Sequence, residues 1–129
     1  MTQRVRAIIK QGGKLLLIRR RKPGLPDYWV FPGGGVEAAD SGLKAALARE
    51  CREELGVQIS VGDRFYSMEE ANARQSFFFA VITGGVLGTG AGPEFKEGSG
   101  YTGEYLIEWV NLSQLSRLNV LPKEVADRL

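Results

Sequence analysis

The chain opens on a rhythm of two. Val5, Ala7 and Ile9 alternate with Arg4, Arg6 and Lys10, the period of a strand with one buried face. Gln11-Gly12-Gly13 supplies turn chemistry, and Lys14 to Arg20 reads as the hairpin partner of that first strand. Pro23, Gly24 and Pro26 mark a loop, Tyr28 to Phe31 a short strand, and Pro32-Gly33-Gly34-Gly35 a break. The period then changes. Leu43, Leu47, Cys51 and Leu55 recur every fourth position, the apolar stripe of a helix that Asp40 or Ser41 can cap and Gly56 stops. Phe65 to Glu70 and Arg74 to Thr83 predict another pair of strands, in which alternation sets Phe78 on the face opposite Phe77 and Phe79. Gly84 to Gly103 is glycine-dense and predicts a loop. Glu104 to Val110 is a last strand, with short helices near Leu112 to Leu118 and Pro122 to Leu129. Hairpins around one long central helix predict an α/β or α+β fold with a mixed sheet, not a doubly wound parallel one.

Composition narrows the chemistry. The 129 residues fit one domain, and 17 basic against 15 acidic side chains leave a formal charge of +2. Histidine is absent and Cys51 is the one cysteine, which excludes Ser-His-Asp and Cys-His catalysis, His-ligated metals and clustered-cysteine zinc. Catalysis must rest on carboxylates, Lys, Arg, Tyr or backbone groups. The longest apolar run, Phe77 to Ile82, falls far short of the ~20 residues that span a bilayer, and Arg4, Arg6 and Lys10 interrupt any secretory h-region. A cytoplasmic protein without membrane contact is the expectation. Eight basic residues precede the first acid, Asp27. Such a segment suits phosphates, and equally a solvated, edge-protecting strand surface.

The central helix carries an awkward charge cluster. At about 100° per residue, Glu50, Glu53 and Glu54 fall within one sector of about 100° beside the apolar stripe. Like charges at this spacing repel, and they sit near the helix C-terminus, where the dipole favours cations. A solvated acidic face relieved by Arg49 is one reading. A bound divalent cation is the other, and it removes every objection at once. Oxygen ligands alone select a hard ion, Mg²⁺ or Mn²⁺ as a substitute, which binds a few carboxylates together with substrate phosphates. Upstream, Gly33, Gly35 and Ala38 make a weak G-x-G-x-x-A match. Pro32 and the preceding hairpin argue against a dinucleotide fold. There is no Walker A, since Gly13-Lys14 is followed by Leu15. The glycines either form a tight turn needing φ > 0 or bring backbone groups close to the metal site, the reading preferred here.

Gly-Gly-Gly-Val-Glu followed by Arg49-Glu50-Cys51-Arg52-Glu53-Glu54-Leu55-Gly56-Val57 resembles the Nudix hydrolase signature, G-x5-E-x7-R-E-U-x-E-E-x-G-U, with U a bulky aliphatic residue. Its five fixed downstream residues arise by chance on the order of 10⁻⁴ times in a chain of this length. The upstream half departs from the pattern. Counting back from Arg49 places Ser41 where glutamate belongs. Counting forward from Gly34 places Asp40 there, with one residue too many before Arg49. The second register is preferred because it also aligns Pro32-Gly33-Gly34 and Val36-Glu37. Cys51 stands where the family has a larger aliphatic residue. Leu15 to Arg20, Tyr28 to Pro32 and Trp109 to Leu112 are similar to the family as well.

The resemblance implies an α/β/α sandwich over residues 1–129, with the signature at about 34–57. It also implies Mg²⁺-dependent hydrolysis of a diphosphate linked to another group, usually a nucleoside. Carried over by position, Glu50, Glu53 and Glu54 bind the metal with the Gly33 carbonyl, and Arg49 holds Glu53. Glu37 matches a family position without an assigned role. The expected mechanism is attack on phosphorus by water whose pKa the metal lowers. Without histidine the general base is a carboxylate. Glu53 is one candidate. The family's use of a distal glutamate makes Glu104 the other, ahead of Glu97 and Glu94.

Arg19 and Arg20 are candidates for phosphate contact. Tyr28, Phe65, Tyr66, Tyr101 and Tyr105 are candidates for stacking on a base. The expected partner is a nucleotide-type small molecule, with no nucleic acid, and the chain is a monomer or a homodimer. A non-catalytic nucleotide-sensing module of the same fold is the alternative. Action on RNA 5′ ends is weaker, because the net charge is small and no RNA-binding module is present.

Overall fold

The computed structural model describes residues 2–90 and 104–129. Nine strands and two helices follow in the order β1 (Thr2–Ile8), β2 (Lys10–Gln11), β3 (Lys14–Arg21), β4 (Tyr28–Val30), β5 (Gly33–Gly35), α1 (Leu43–Leu55), β6 (Val57–Glu70), β7 (Ala73–Gly85), β8 (Glu104–Asn111), β9 (Val120–Leu121) and α2 (Lys123–Ala126). A 3₁₀ turn over Leu112–Arg117 joins β8 to β9. One sheet has the order β5-β1-β7-β6. The other is built on β3, which pairs with β2, β4 and β8, while β9 runs parallel to β4.

Alternation along the strands feeds two cores. Val5, Ala7, Leu16, Ile18 and Phe78 pack with Ala46, Leu47, Cys51 and Leu55 of α1. Ile8, Leu15, Leu17, Trp29, Phe31 and Phe77 pack on the opposite side with Leu115, Val125 and Ala126. Helical elements on both sides of the strands make the layered α/β/α arrangement that was expected, and Phe78 lies opposite Phe77 as the alternation requires.

Several local expectations change. β1 is not the hairpin partner of β3. It runs parallel to β7, Val5 beside Ser76 and Ile8 beside Phe79, and only the two-residue β2 turns back onto β3. Parallel pairing with a strand some 70 residues later leaves no local pattern. The glycine run is not a loop but the edge strand β5, antiparallel to β1 with Val5 opposite Gly34. Helix α1 begins at Leu43 with extended Gly42 as its N-cap and no side-chain cap, because the Asp40 carboxylate is engaged elsewhere. Gly56 does end the helix, in the left-handed conformation at φ 79°.

The strand after it starts at once, at Val57 rather than Phe65. Irregularities between Gln58 and Ile59, and from Val61 through Arg64 to Tyr66, break its alternation and hide it from a period-two reading. The turn between β6 and β7 is Ala71-Asn72, both at positive φ. The predicted loop from Gly84 gives its first two residues to β7, and Tyr101, Glu94 and Glu97 lie outside the described residues.

Candidate active site

β5 is an edge strand without side chains, and the site is built around that edge. Backbone hydrogen bonds from Val36 to Gln3 and from Ala7 to Pro32 fix the ladder with β1. In that register Gly33 and Gly35 turn their N–H and C=O groups away from β1. The outward Gly33 N–H donates to Glu54 Oε1 at 2.9 Å. The outward Gly35 carbonyl accepts from Arg49 NH2 at 3.0 Å. Glycine is required by contact as well. A Cβ on Gly34 would lie 2.5 Å from Glu50 Oε2, and one on Gly33, at φ +146°, would run into the Val5 carbonyl.

Arg49 organises the acids. Its Nε and NH2 donate to the two oxygens of Asp40, each at 2.9 Å. Its NH1 reaches Glu50 Oε1 at 3.1 Å and Glu53 Oε2 at 3.2 Å. The bonds to Asp40 first, and the Glu50 carboxylate after them, raise the Arg49 pKa. Asp40 is drawn down to about 2 by Arg49 and by the Glu37 N–H that it also accepts. Asp40, which the preferred register sets at the signature's glutamate position, is paired here with Arg49.

The three glutamates differ in access. Glu54 is buried, the Glu50 side chain is 17% exposed and Glu53 is 43% exposed. Cys51 is fully buried in the core on the adjoining stripe of the helix, where desolvation pushes its thiol pKa well up.

A cavity of about 410 Å³ lies against this edge. Glu50, Glu53 and Glu54 of α1 form one wall with Gly33 and Gly34. Arg4 and Arg6 of β1 and Arg20 of β3 form another, with Tyr28 and Tyr105. The wall arises because Arg4 and Arg6 leave the opposite face of β1 from Val5, and no side chain on β5 screens them from the glutamates. Arg20 stacks over Tyr105 at 3.9 Å. Among the described residues no three carboxylates converge as a ready-made metal cage. The donor set is instead a row of carboxylates and outward backbone oxygens along one edge.

Of the residues expected from sequence, Arg49, Glu50, Glu53, Glu54, Gly33, Arg20 and Tyr28 meet here. Arg19 does not. It lies on the other face of β3, donating to Asp27 and Glu108 and stacked on Trp29. Glu104 begins β8 opposite Arg21, exposed and outside the cavity's lining, while its neighbour Tyr105 lies in it. Phe65 packs on Phe79, and Tyr66 donates to Glu124. Arg4 and Arg6 were not singled out, although the basic run before Asp27 was their signal.

A second cavity, of about 380 Å³, adjoins the first. Its lining mixes Phe31, Phe77, Leu121 and Pro122 with the polar side chains of Gln75, Glu70 and Glu124. Arg6 and Val30 line both cavities.

The NUDIX domain model matches residues 1–129. The CTP pyrophosphohydrolase of Escherichia coli (strain K12) is 46% identical over 66 residues, 49% of this chain and 47% of that protein. The putative 8-oxo-dGTP diphosphatase 2 of Mycobacterium tuberculosis (strain H37Rv) is 44% identical over 61 residues, 45% of this chain and 43% of that protein. The aligned segments thus span under half of each relative. The solution structure of the E. coli ORF135 protein superposes with a TM-score of 0.67 at 26% identity, over 97% of this chain and 84% of that one. No helix among the described residues is long and apolar enough to cross a membrane.

Proposed function

The chain belongs to the NUDIX domain family, and from that premise we propose that it hydrolyses a phosphoanhydride bond in a nucleoside di- or triphosphate or a nucleoside-diphosphate-linked compound. The observation that carries this reading is the pair of adjoining cavities. One sets carboxylates against guanidinium groups, and the other mixes apolar residues such as Val30, Leu121 and Pro122 with the polar groups of Arg6, Gln75, Glu70 and Glu124. A nucleotide would set its phosphates in the first and a base with polar edges in the second. The partly aligned relatives named for CTP and 8-oxo-dGTP carry the same kind of substrate in their names.

The residues fit a hard divalent cation, Mg²⁺ or Mn²⁺. Glu50, Glu53 and Glu54 offer carboxylate oxygens and Gly33 an outward carbonyl. Mg²⁺ characteristically takes one or two carboxylates and completes its shell with water and substrate phosphate, so a closed protein cage is not needed. Such an ion would neutralise diphosphate oxygens and acidify water.

The chain's own groups do the rest. Arg4 and Arg20 bind phosphate oxygens as paired donors. Glu54, fixed by the Gly33 N–H, and Glu50, fixed by Arg49, hold their oxygens toward the cavity. Glu53 is the most exposed of the three glutamates and accepts the proton of the attacking water. Arg49 keeps its carboxylate oriented.

The test is product formation across a nucleotide panel, with Mg²⁺ and with EDTA, using Glu53→Gln as control. Metal-dependent turnover lost in the variant supports the hydrolase. Saturable nucleotide binding without product from the Mg²⁺-loaded wild type would make the chain a sensing module instead.

A further inference from the structure

The nucleotide reading divides a ligand between two cavities and leaves their junction unassigned. Arg6 stands there, lining both. It leaves β1 on the face it shares with Gln75 and Phe77 of β7, with Phe77 beside it in the parallel ladder and Gln75 beside Arg4. Its Nε donates to Gln75 Oε1 at 3.3 Å and its NH1 to the Phe31 carbonyl at 3.1 Å. These bonds use two of the five N–H groups of a guanidinium.

Both partners are neutral, so they fix the fork without balancing its charge. Burial and the neighbouring Arg4 act against the Arg6 cation, while Glu54 and Glu50 act for it. A divalent ion held by those same glutamates would remove that support. Arg6 is then a partly buried cation with donors to spare and no anion of its own, and the ligand must supply one. A nucleotide lying across both cavities passes this junction with its ribose and the phosphate esterified to it. Ribose hydroxyls are neutral. The phosphate is the anion, and its charge-assisted hydrogen bonds are roughly twice as strong as neutral ones. Arg4 and Arg20 line the first cavity alone, so they face the rest of the phosphate chain.

We propose that Arg6 is a substrate-binding residue for the phosphate esterified to the nucleoside, and that Gln75 is the positioning residue that aims it. The inference rests on the nucleotide reading above.

CMP and AMP carry that phosphate and no phosphoanhydride bond, so the wild type binds them without turning them over. Kd for each, and for cytidine and adenosine, is measured by NMR titration with Mg²⁺. The proteins compared are the wild type, Arg6→Met, Gln75→Leu and Arg4→Met, with Tm recorded for each. Loss of a charge-assisted contact predicts that Arg6→Met weakens CMP and AMP alike by roughly 10- to 100-fold, and the two nucleosides by less than about threefold. Gln75→Leu should lose part of the same affinity. Arg4→Met should lose less than Arg6→Met, because Arg4 does not reach the junction.

A loss confined to the monophosphates in Arg6→Met, and equal for the two bases, supports the proposal. An equal loss for monophosphates and nucleosides makes Arg6 a ribose contact or a structural residue and overturns it. A loss of the same size in Arg4→Met makes the effect one of general charge and also overturns it. Unchanged CMP affinity in Arg6→Met, or in Gln75→Leu if Arg6→Met fails to fold, does the same. A wild type that binds CMP no tighter than cytidine overturns the proposal outright. Whether Glu53→Gln then binds CTP decides the nucleotide reading separately.

Discussion

Asp40 and Arg49 meet through two hydrogen bonds of 2.9 Å, Nε to Oδ1 and NH2 to Oδ2, so that one carboxylate grips one guanidinium edge-on. Arg49 spends its remaining edge on Glu50, Glu53 and the Gly35 carbonyl. The pair thus joins the loop before α1, the last turns of α1 and the glycine edge strand in one arrangement. Bidentate geometry supplies direction as well as energy.

Acid should dissolve this arrangement. Asp40 titrates near 2 in the folded chain against an ordinary value of 3.8. A depressed carboxylate contributes stability that is complete above its unfolded pKa and is lost as pH falls through the folded one. The Tm deficit of Asp40→Asn relative to wild type should therefore be largest above about pH 4 and shrink toward pH 2. Thermal denaturation of both proteins across that range is the check, and a deficit independent of pH would remove Asp40 from the account. At neutral pH the same variant should lower kcat/KM by roughly tenfold, as loss of a group that orients metal-binding side chains does.

Glu53 and Glu104 can be separated kinetically. The cavity takes in Glu53 and not Glu104, so Glu53→Gln should lower kcat by roughly 10²–10⁴-fold. Glu104→Gln should leave kcat close to wild type. A collapse of kcat in Glu104→Gln, with Mg²⁺ saturating, would assign the base to β8 instead.

The glycines of β5 should fail in different ways. Gly33→Ala forces a side chain into positive φ against the Val5 carbonyl, and should cost about 1–3 kcal/mol of stability. Gly34→Ala meets the Glu50 carboxylate, the movable end of a side chain. It should shift the Mg²⁺ concentration needed for activity more than it shifts Tm. Urea melts and Mg²⁺ titrations of both variants distinguish strain from displacement.

Cys51 should be inert. Burial in the α1 core raises its thiol pKa, with Glu54 and Glu50 adding to the shift. The reactive species is the thiolate. Iodoacetamide at pH 8 should leave the native chain unlabelled and modify it once urea has unfolded it. Replacing Cys51 by leucine, nearer the family's usual side chain, should overpack the site by about 1–3 kcal/mol.

Local periodicity carried much of this to the surface of the sequence. The i, i+4 stripe from Leu43 to Leu55 marked α1, and the same arithmetic put Glu50, Glu53 and Glu54 on one face, because a helix closes its hydrogen bonds within a turn. The strand around Leu15 to Arg20 and the stop at Gly56 were legible for the same reason. Charge order flagged the basic N-terminal segment without saying which side chains would matter.

Strand neighbours were another matter, since a ladder partner lies at any distance along the chain. Only folding sets β1 beside β7, turns Gly33 to Gly35 into an edge and draws Asp40 away from capping α1. It sends Arg20 to the cavity and Arg19 to the other face of β3, one residue apart, through the pleat. What the sequence determined was which side chains share an element and a face. Which faces meet was decided by burial of two apolar layers over long sequence separations, and that meeting sets Arg4 and Arg6 across a bare glycine edge from the glutamates.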